Sequence, residues 1–110
     1  MRFILYATAF CIWLPAFAQL PNVPYGKIER LESFQSKYVT PRHVDVWLPE
    51  GYTPQKKYAV LYMHDGQMLF DSTTTSNKQS WKVSEVMHQL RSNEAVRDVL
   101  VVGVWSGGAT

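Results

Sequence analysis

The segment His64-Asp65-Gly66-Gln67 holds the residues of this chain that are best suited to chemistry. It directly follows an apolar run, Tyr58 to Met63, that reads as a buried strand. In open α/β sheets, ligands bind beyond the carboxyl ends of the strands. Gly66 suits a tight turn there, and the backbone N–H groups after such a turn would face the crevice. An ester hydrolase needs donors of this kind for the oxyanion of its tetrahedral intermediate. Asp-Gly is also a common turn, so an ordinary structural turn remains the alternative.

Two apolar runs and one amphipathic stretch must position this segment. Residues 58–63 and 99–105 are apolar without alternation, which is typical of strands covered on both faces in a parallel sheet. The stretch from Ser80 to Ser92 is predicted to be a helix with Ser80 as its N-cap. Its single buried stripe would consist of Val83, Val86, Met87 and Leu90. Strand, helix and strand together predict a right-handed βαβ unit.

Two further strands are predicted ahead of this unit. Residues Gly26 to Phe34 alternate loosely, and Arg42 to Leu48 alternate cleanly. One face of the second strand holds Val44, Val46 and Leu48; the other holds His43, Asp45 and Trp47. We expect the face with His43 to be the outer one. The predicted fold class is therefore α/β, with leading antiparallel strands followed by a βαβ unit.

The first eighteen residues have the pattern of a secretory signal peptide. Arg2 precedes an uncharged apolar stretch from Phe3 to Phe17, and Ala16-Phe17-Ala18 is a small-x-small cleavage pattern. The stretch is shorter than the ~20 residues of a membrane span. The expected organisation is a signal peptide over 1–18, an extended lead-in over 19–25 and the domain over 26–110. The protein is thus expected to be exported, to the periplasm or outside the cell, without a membrane anchor after cleavage.

Composition excludes some partners. The formal net charge is only +2 and the basic residues are scattered, so no nucleic-acid partner is expected. The single cysteine, Cys11, lies in the signal peptide and would be removed with it. No histidine stands at metal-ligand spacing from another ligand, so neither a metal nor any other cofactor is expected.

An ordered set of motifs resembles the putative esterase family of α/β-hydrolases. That family includes enterochelin-type, feruloyl and acetylxylan esterases. The resemblance starts near Gly26 and rests on these segments in order: Leu48-Pro49-Glu50-Gly51-Tyr52, Tyr58 to Met63, His64-Asp65-Gly66-Gln67, Trp81, and Val101-Val102-Gly103-Val104. It implies a serine-dependent ester hydrolase acting on a small-molecule or polysaccharide-linked ester.

The resemblance also implies roles for individual residues. The backbone N–H of Gln67 would be an oxyanion donor, with its side chain mattering less than the path of the chain. Asp65, Gly66 and Trp81 would contact substrate, Trp81 beside the acyl pocket. The family's nucleophile stands in a Gly-x-Ser-x-Gly elbow, which this sequence does not contain. Ser106 is expected to belong to a flexible loop rather than to be the nucleophile.

The expectation is therefore an N-terminal portion of an exported esterase, inactive alone because it lacks the Ser-Asp/Glu-His triad. The alternative is a secreted non-catalytic carbohydrate-binding module, or an inactive esterase relative. In the binding module, exposed Trp47, Trp81 and Tyr52 would stack on sugar rings.

Overall fold

A computed structural model describes residues 19–107, which form one mixed sheet with a helix on one side. The strands are β1 (Lys27–Phe34), β2 (Arg42–Leu48), β3 (Ala59–Met63) and β4 (Val99–Val104), and helix α1 spans Val83–Ser92. Two short 3-10 turns, Gly66–Met68 and Ser72–Thr74, lie between β3 and α1. The predicted signal peptide lies outside the described residues.

The sheet has the strand order β1-β2-β4-β3. β1 pairs antiparallel with β2, β2 antiparallel with β4, and β3 parallel with β4. The antiparallel leading strands and the βαβ unit expected from the sequence are both present. Since β3 and β4 are parallel neighbours, they end side by side, with Met63 opposite Gly103.

The core lies between α1 and one face of the sheet. Its buried side chains come from the sheet, the helix and the segment after β3: Ile28, Trp47, Val101, Val83, Met87, Leu69 and Phe70. The face of β2 that we expected to be outer is therefore the inner one, because Asp45 and Trp47 are buried. Trp47 fills this side with its ring and donates its indole N–H to the Tyr25 carbonyl at 2.8 Å. A buried Trp needs both apolar space and an acceptor, and only this face supplies them.

The opposite face of the sheet is open among residues 19–107. Val60 and Tyr62 of β3 are 43% and 73% exposed, and Leu31 and Phe34 of β1 are also exposed. Within residues 19–107, neither apolar strand is therefore covered by helices on both faces. The reason is geometric: β3 is an edge strand here, and one helix covers one face only.

Helix α1 also departs from its predicted limits. It begins at Val83 rather than near Ser80, after Lys82 in a left-handed conformation with φ 53°. The Ser80 hydroxyl accepts from the Lys82 N–H at 3.2 Å, so it closes the turn before the helix instead of capping it. Val86 is 48% exposed because it lies at the rim of the apolar stripe, whereas Val83 and Met87 are buried. Within residues 19–107, no helix has the length and apolarity needed to span a bilayer.

Candidate functional site

The residues after β3 and the residues after β4 meet at the carboxyl edge of the sheet. The segment after β3, His64 to Met68, turns immediately into a 3-10 turn. The segment after β4, Trp105 and Ser106, lies against it through side-chain hydrogen bonds. This edge is where the sequence placed the candidate chemistry.

The turn after β3 is built on a left-handed residue. Asp65 has φ 55° and ψ 47°, and its carbonyl accepts from the Met68 N–H at 2.8 Å. The backbone N–H of Gln67 donates to no acceptor among the described residues. The first N–H groups of any helical turn have no partner inside it. The turn therefore leaves the Gln67 N–H without an internal partner at the carboxyl end of the sheet.

Gly66 is required by space rather than by its φ angle. A Cβ built on this buried residue would lie 2.5 Å from the Gly103 carbonyl oxygen and 2.9 Å from Cδ1 of Trp105. The positive φ of the turn belongs to Asp65. A residue without a side chain at this position lets the turn lie directly on the backbone of β4.

The Gln67 side chain joins the two segments. Its Nε2 donates to Ser106 Oγ at 2.9 Å, and its Oε1 accepts from the Ser106 N–H at 3.1 Å. This side chain thus bonds a residue 39 positions away, and the expectation that it matters less for activity than the path of the chain stays a prediction. Ser106, expected in a flexible loop, is held at both its backbone and its hydroxyl.

A buried charged group behind Trp105 escaped the sequence analysis. The Asp45 carboxylate accepts from Arg30 Nε at 2.7 Å and Nη2 at 3.0 Å, and from the Trp105 indole N–H at 2.9 Å. The side chains of Arg30 and Asp45 are 3% and 0% exposed. One local signal existed: Asp45 alternates in phase with Trp47, so an inward Trp47 requires an inward carboxylate with a cationic partner.

The other polar groups near the turn differ in their roles. The side chains of His64 and Asp65 form no hydrogen bond to any residue in 19–107, and His64 is exposed. Asp71 is a capping residue, because its carboxylate accepts from the N–H of Thr73 at 2.9 Å. Burial acts to raise the pKa of Asp71, but hydrogen bonds from Asn22 and Thr73 together hold that pKa below its ordinary value. In the described part of the chain, no group of three or more metal-ligating side chains comes together.

The three aromatic residues considered for sugar stacking do not share a surface. Trp47 is only 2% exposed, so it cannot stack on a ligand. Trp81 is 54% exposed, and its backbone N–H donates to the carbonyl of Met68, the last residue of the turn, at 3.0 Å. Tyr52 packs against Tyr58, which lies just before the first residue of β3 and therefore at the opposite end of the strands from the turn. Only Trp81 lies next to the candidate site.

Comparison with known proteins identifies relatives of this arrangement. Residues 36–110 match the family described as "Putative esterase". Two structures of a CE1 ferulic acid esterase from Anaeromyces mucronatus, with ferulic acid and without substrate, are similar to this chain. Each has a TM-score of 0.52 and 21% sequence identity over 76% of this chain. The matched part is 30% of the length of that esterase, and at this identity the likeness concerns the fold. No match was found among curated protein sequences.

Proposed function

This chain belongs to the putative esterase family of the α/β-hydrolase type, and on that premise we propose that it forms part of an exported, serine-dependent carboxylic-ester hydrolase. In this proposal the described residues supply an oxyanion donor and part of the substrate site. The nucleophilic serine and its acid and histidine partners belong to the intact gene product outside the motifs found here.

The unpaired N–H of Gln67 is the observation that carries the proposal. It stands at the carboxyl edge of a parallel strand pair, in a turn packed directly on β4. A donor that is fixed before the reaction and has no internal partner stabilises developing charge without reorganising. In α/β-hydrolases, one oxyanion donor comes from the loop after this strand and another from the residue after the nucleophile.

The reaction then follows the usual course of acyl transfer. The serine oxygen attacks the ester carbonyl carbon, and the carbonyl oxygen becomes an oxyanion that accepts from the Gln67 N–H. Collapse of this intermediate expels the alcohol and leaves an acyl-enzyme. Water attacks the acyl-enzyme in the same way and releases the acid. The Gln67 donor acts in both halves, because each half has a tetrahedral intermediate.

Trp81 and Asp65 are the proposed substrate contacts. The backbone of Trp81 is bonded to Met68 of the turn and its side chain is exposed, so an apolar or aromatic acyl group could pack against the indole. Asp65 has a carboxylate without a hydrogen-bond partner among the described residues, next to the donor. A ferulic acid esterase shares this fold, which makes a feruloyl ester a suitable first substrate to test.

A serine-directed fluorophosphonate probe tests the proposal. We expect it to label one serine of the intact gene product, and we expect that product to hydrolyse p-nitrophenyl acetate or methyl ferulate. The 110-residue chain alone should remain unlabelled. Labelling of the isolated chain at Ser106, or an intact product that is neither labelled nor active, would contradict the proposal and favour an inactive relative.

Export is the second part of the proposal and rests on the sequence of residues 1–18. Mass spectrometry of the protein purified from its own host should find an N-terminus at Gln19, or its cyclised form. An exported protein that retains residues 1–18 would contradict the proposed cleavage.

A further inference from the structure

The hydrogen bonds between Gln67 and Ser106 join two segments that are remote in sequence. The side-chain amide of Gln67 donates to the hydroxyl of Ser106 and accepts from its backbone N–H. Because both hydrogen bonds go to Ser106, they restrain the distance and the orientation of the Gln67 side chain. Ser106 is partly buried, as is Gln67. The contact lies next to the backbone N–H that we propose as the oxyanion donor.

Ser106 is itself held in place through its neighbour Trp105. The Trp105 N–H donates to the His43 carbonyl at 3.0 Å, which continues the β2–β4 ladder by one residue. Its indole N–H donates to Asp45 at 2.9 Å, and its ring lies 4.8 Å from the guanidinium carbon of Arg30. The backbone of Trp105 is thus held by β2, and its ring is held by Asp45 and Arg30.

The buried ion pair gives the indole a defined position. Arg30 binds both carboxylate oxygens of Asp45, so the carboxylate cannot rotate without losing hydrogen bonds. Buried pairs of this kind are weak evidence for stability, and in some proteins they specify one arrangement among several. Here the specified arrangement is the location of Trp105, and with it the location of Ser106.

We propose that Ser106 is a positioning residue for the oxyanion donor: it holds the Gln67 side chain, and thereby the direction of the Gln67 backbone N–H. Asp45 holds the Trp105 indole by a hydrogen bond, and Trp105 in turn fixes the position of the next residue, Ser106. This inference rests on the proposed function, because it assigns a purpose to the same turn. A displacement of about 1 Å at a catalytic group can cost ~100-fold in rate, which is the sensitivity such positioning requires.

The test compares variants of the intact gene product. Gln67→Met keeps the length of the side chain and removes both hydrogen bonds to Ser106. Ser106→Ala removes only the hydroxyl, and Ser106→Thr retains it. Gln89→Met, on the exposed side of α1, is the matched control for replacing an amide by a thioether.

We expect Gln67→Met to lower kcat by about 10-fold to 100-fold, with KM changed less than about threefold. Ser106→Ala should lose on the order of 3-fold to 10-fold, because one hydrogen bond remains. Ser106→Thr should recover most of that loss, and Gln89→Met should match wild type. The inhibition constant of a trifluoromethyl ketone, which forms an oxyanion adduct with the serine, should rise in proportion to the fall in kcat.

The outcomes separate the two proposals. An inactive wild-type protein overturns the proposed function. An active wild type with kcat within twofold in both Gln67→Met and Ser106→Ala overturns only the positioning role. A loss of kcat without weaker binding of the trifluoromethyl ketone also overturns it, because a general structural defect would look like that. If Gln67→Met does not fold, the comparison of Ser106→Ala with Ser106→Thr decides, and equal kcat values overturn the inference.

Discussion

Gly66 lies directly against the backbone of Gly103, so that a Cβ on Gly66 would stand 2.5 Å from the Gly103 carbonyl oxygen. The relationship is close in both directions, since a Cβ on Gly103 would lie 3.1 Å from the Gly66 α-carbon. Backbone meets backbone here, and neither side can yield as a flexible side chain does. This contact fixes the distance between the turn that carries Gln67 and the backbone of β4.

Gly66→Ala tests this contact. We expect the free energy of unfolding of the intact gene product to fall by about 1–3 kcal/mol, as in other overpacked sites. Urea denaturation would measure the loss. Gly51→Ala is the control, because Gly51 has open space around it and a φ of 74°. It should cost about 1–2 kcal/mol from its left-handed conformation alone. A Gly66→Ala variant within about 0.5 kcal/mol of wild type would mean that the turn moves away freely.

The buried pair of Arg30 and Asp45 should be sensitive to the loss of one partner. Asp45→Asn leaves the guanidinium without its counter-charge in a buried site, and we expect a loss of about 3–5 kcal/mol in unfolding free energy. Glu29→Gln breaks the exposed pair with Lys27, whose side chains are 61% and 65% exposed. That control should change stability by less than about 1 kcal/mol. Equal small effects of the two substitutions would show that burial does not govern the Asp45 contact.

Asp98 should titrate at unusually low pH. Hydrogen bonds from Lys56 and Arg91 hold the pKa of this carboxyl below its ordinary value. Because the folded pKa is depressed, the contribution to stability is present above the unfolded pKa of about 3.9 and is lost as the pH falls through the folded value. NMR titration of the carboxyl should give a midpoint below the ordinary value of an aspartate, and Lys56→Met should raise that midpoint. Lys57→Met, at the neighbouring exposed position, should leave it in place; an identical shift from both variants would rule out the specific contact with Lys56.

Gln67→Pro separates the backbone of this residue from its side chain. Both Gln67→Pro and Gln67→Met lack the hydrogen bonds to Ser106, but only Pro also lacks the N–H. We expect turnover of Gln67→Pro to fall by about 100-fold or more relative to Gln67→Met, the usual effect of deleting one oxyanion donor. Circular dichroism must first show that the variant folds, since Pro restricts the preceding Gly66. Equal turnover of a folded Pro variant and the Met variant would place the donor elsewhere.

The open face of the sheet should give residues 19–110, when produced alone, an exposed apolar surface that binds hydrophobic dyes. Tyr62 lines the apolar groove on this face and is 73% exposed, so an environment-sensitive dye should bind there. Tyr62→Lys should reduce dye fluorescence. Tyr38→Lys is a matched control, because Tyr38 is 83% exposed but does not line the groove. If both substitutions reduce the signal equally, or neither does, the dye binds outside the groove.

The sequence by itself determined the order of elements and the family. The strand over Arg42 to Leu48 has the predicted limits, and β3, β4 and α1 lie where the two apolar runs and the helical stripe indicated, with ends shifted by one to three residues. Periodicity is a local property, so it survives without knowledge of the partners. The motif His64-Asp65-Gly66-Gln67 marked the carboxyl end of β3 for a similarly local reason: it directly follows an apolar run.

Only the tertiary structure decided which face of β2 points inward and what Gln67 contacts. Alternation shows that two faces differ, but both faces of β2 carry large apolar side chains, so the pattern alone cannot choose between them. The choice came from the ring of Trp47 and its bond to Tyr25, and it carried Asp45 inside to meet Arg30. The contact between Gln67 and Ser106 joins positions 39 apart, and it forms because two parallel strands bring their ends together. Such contacts depend on packing across the sheet, which no local pattern encodes.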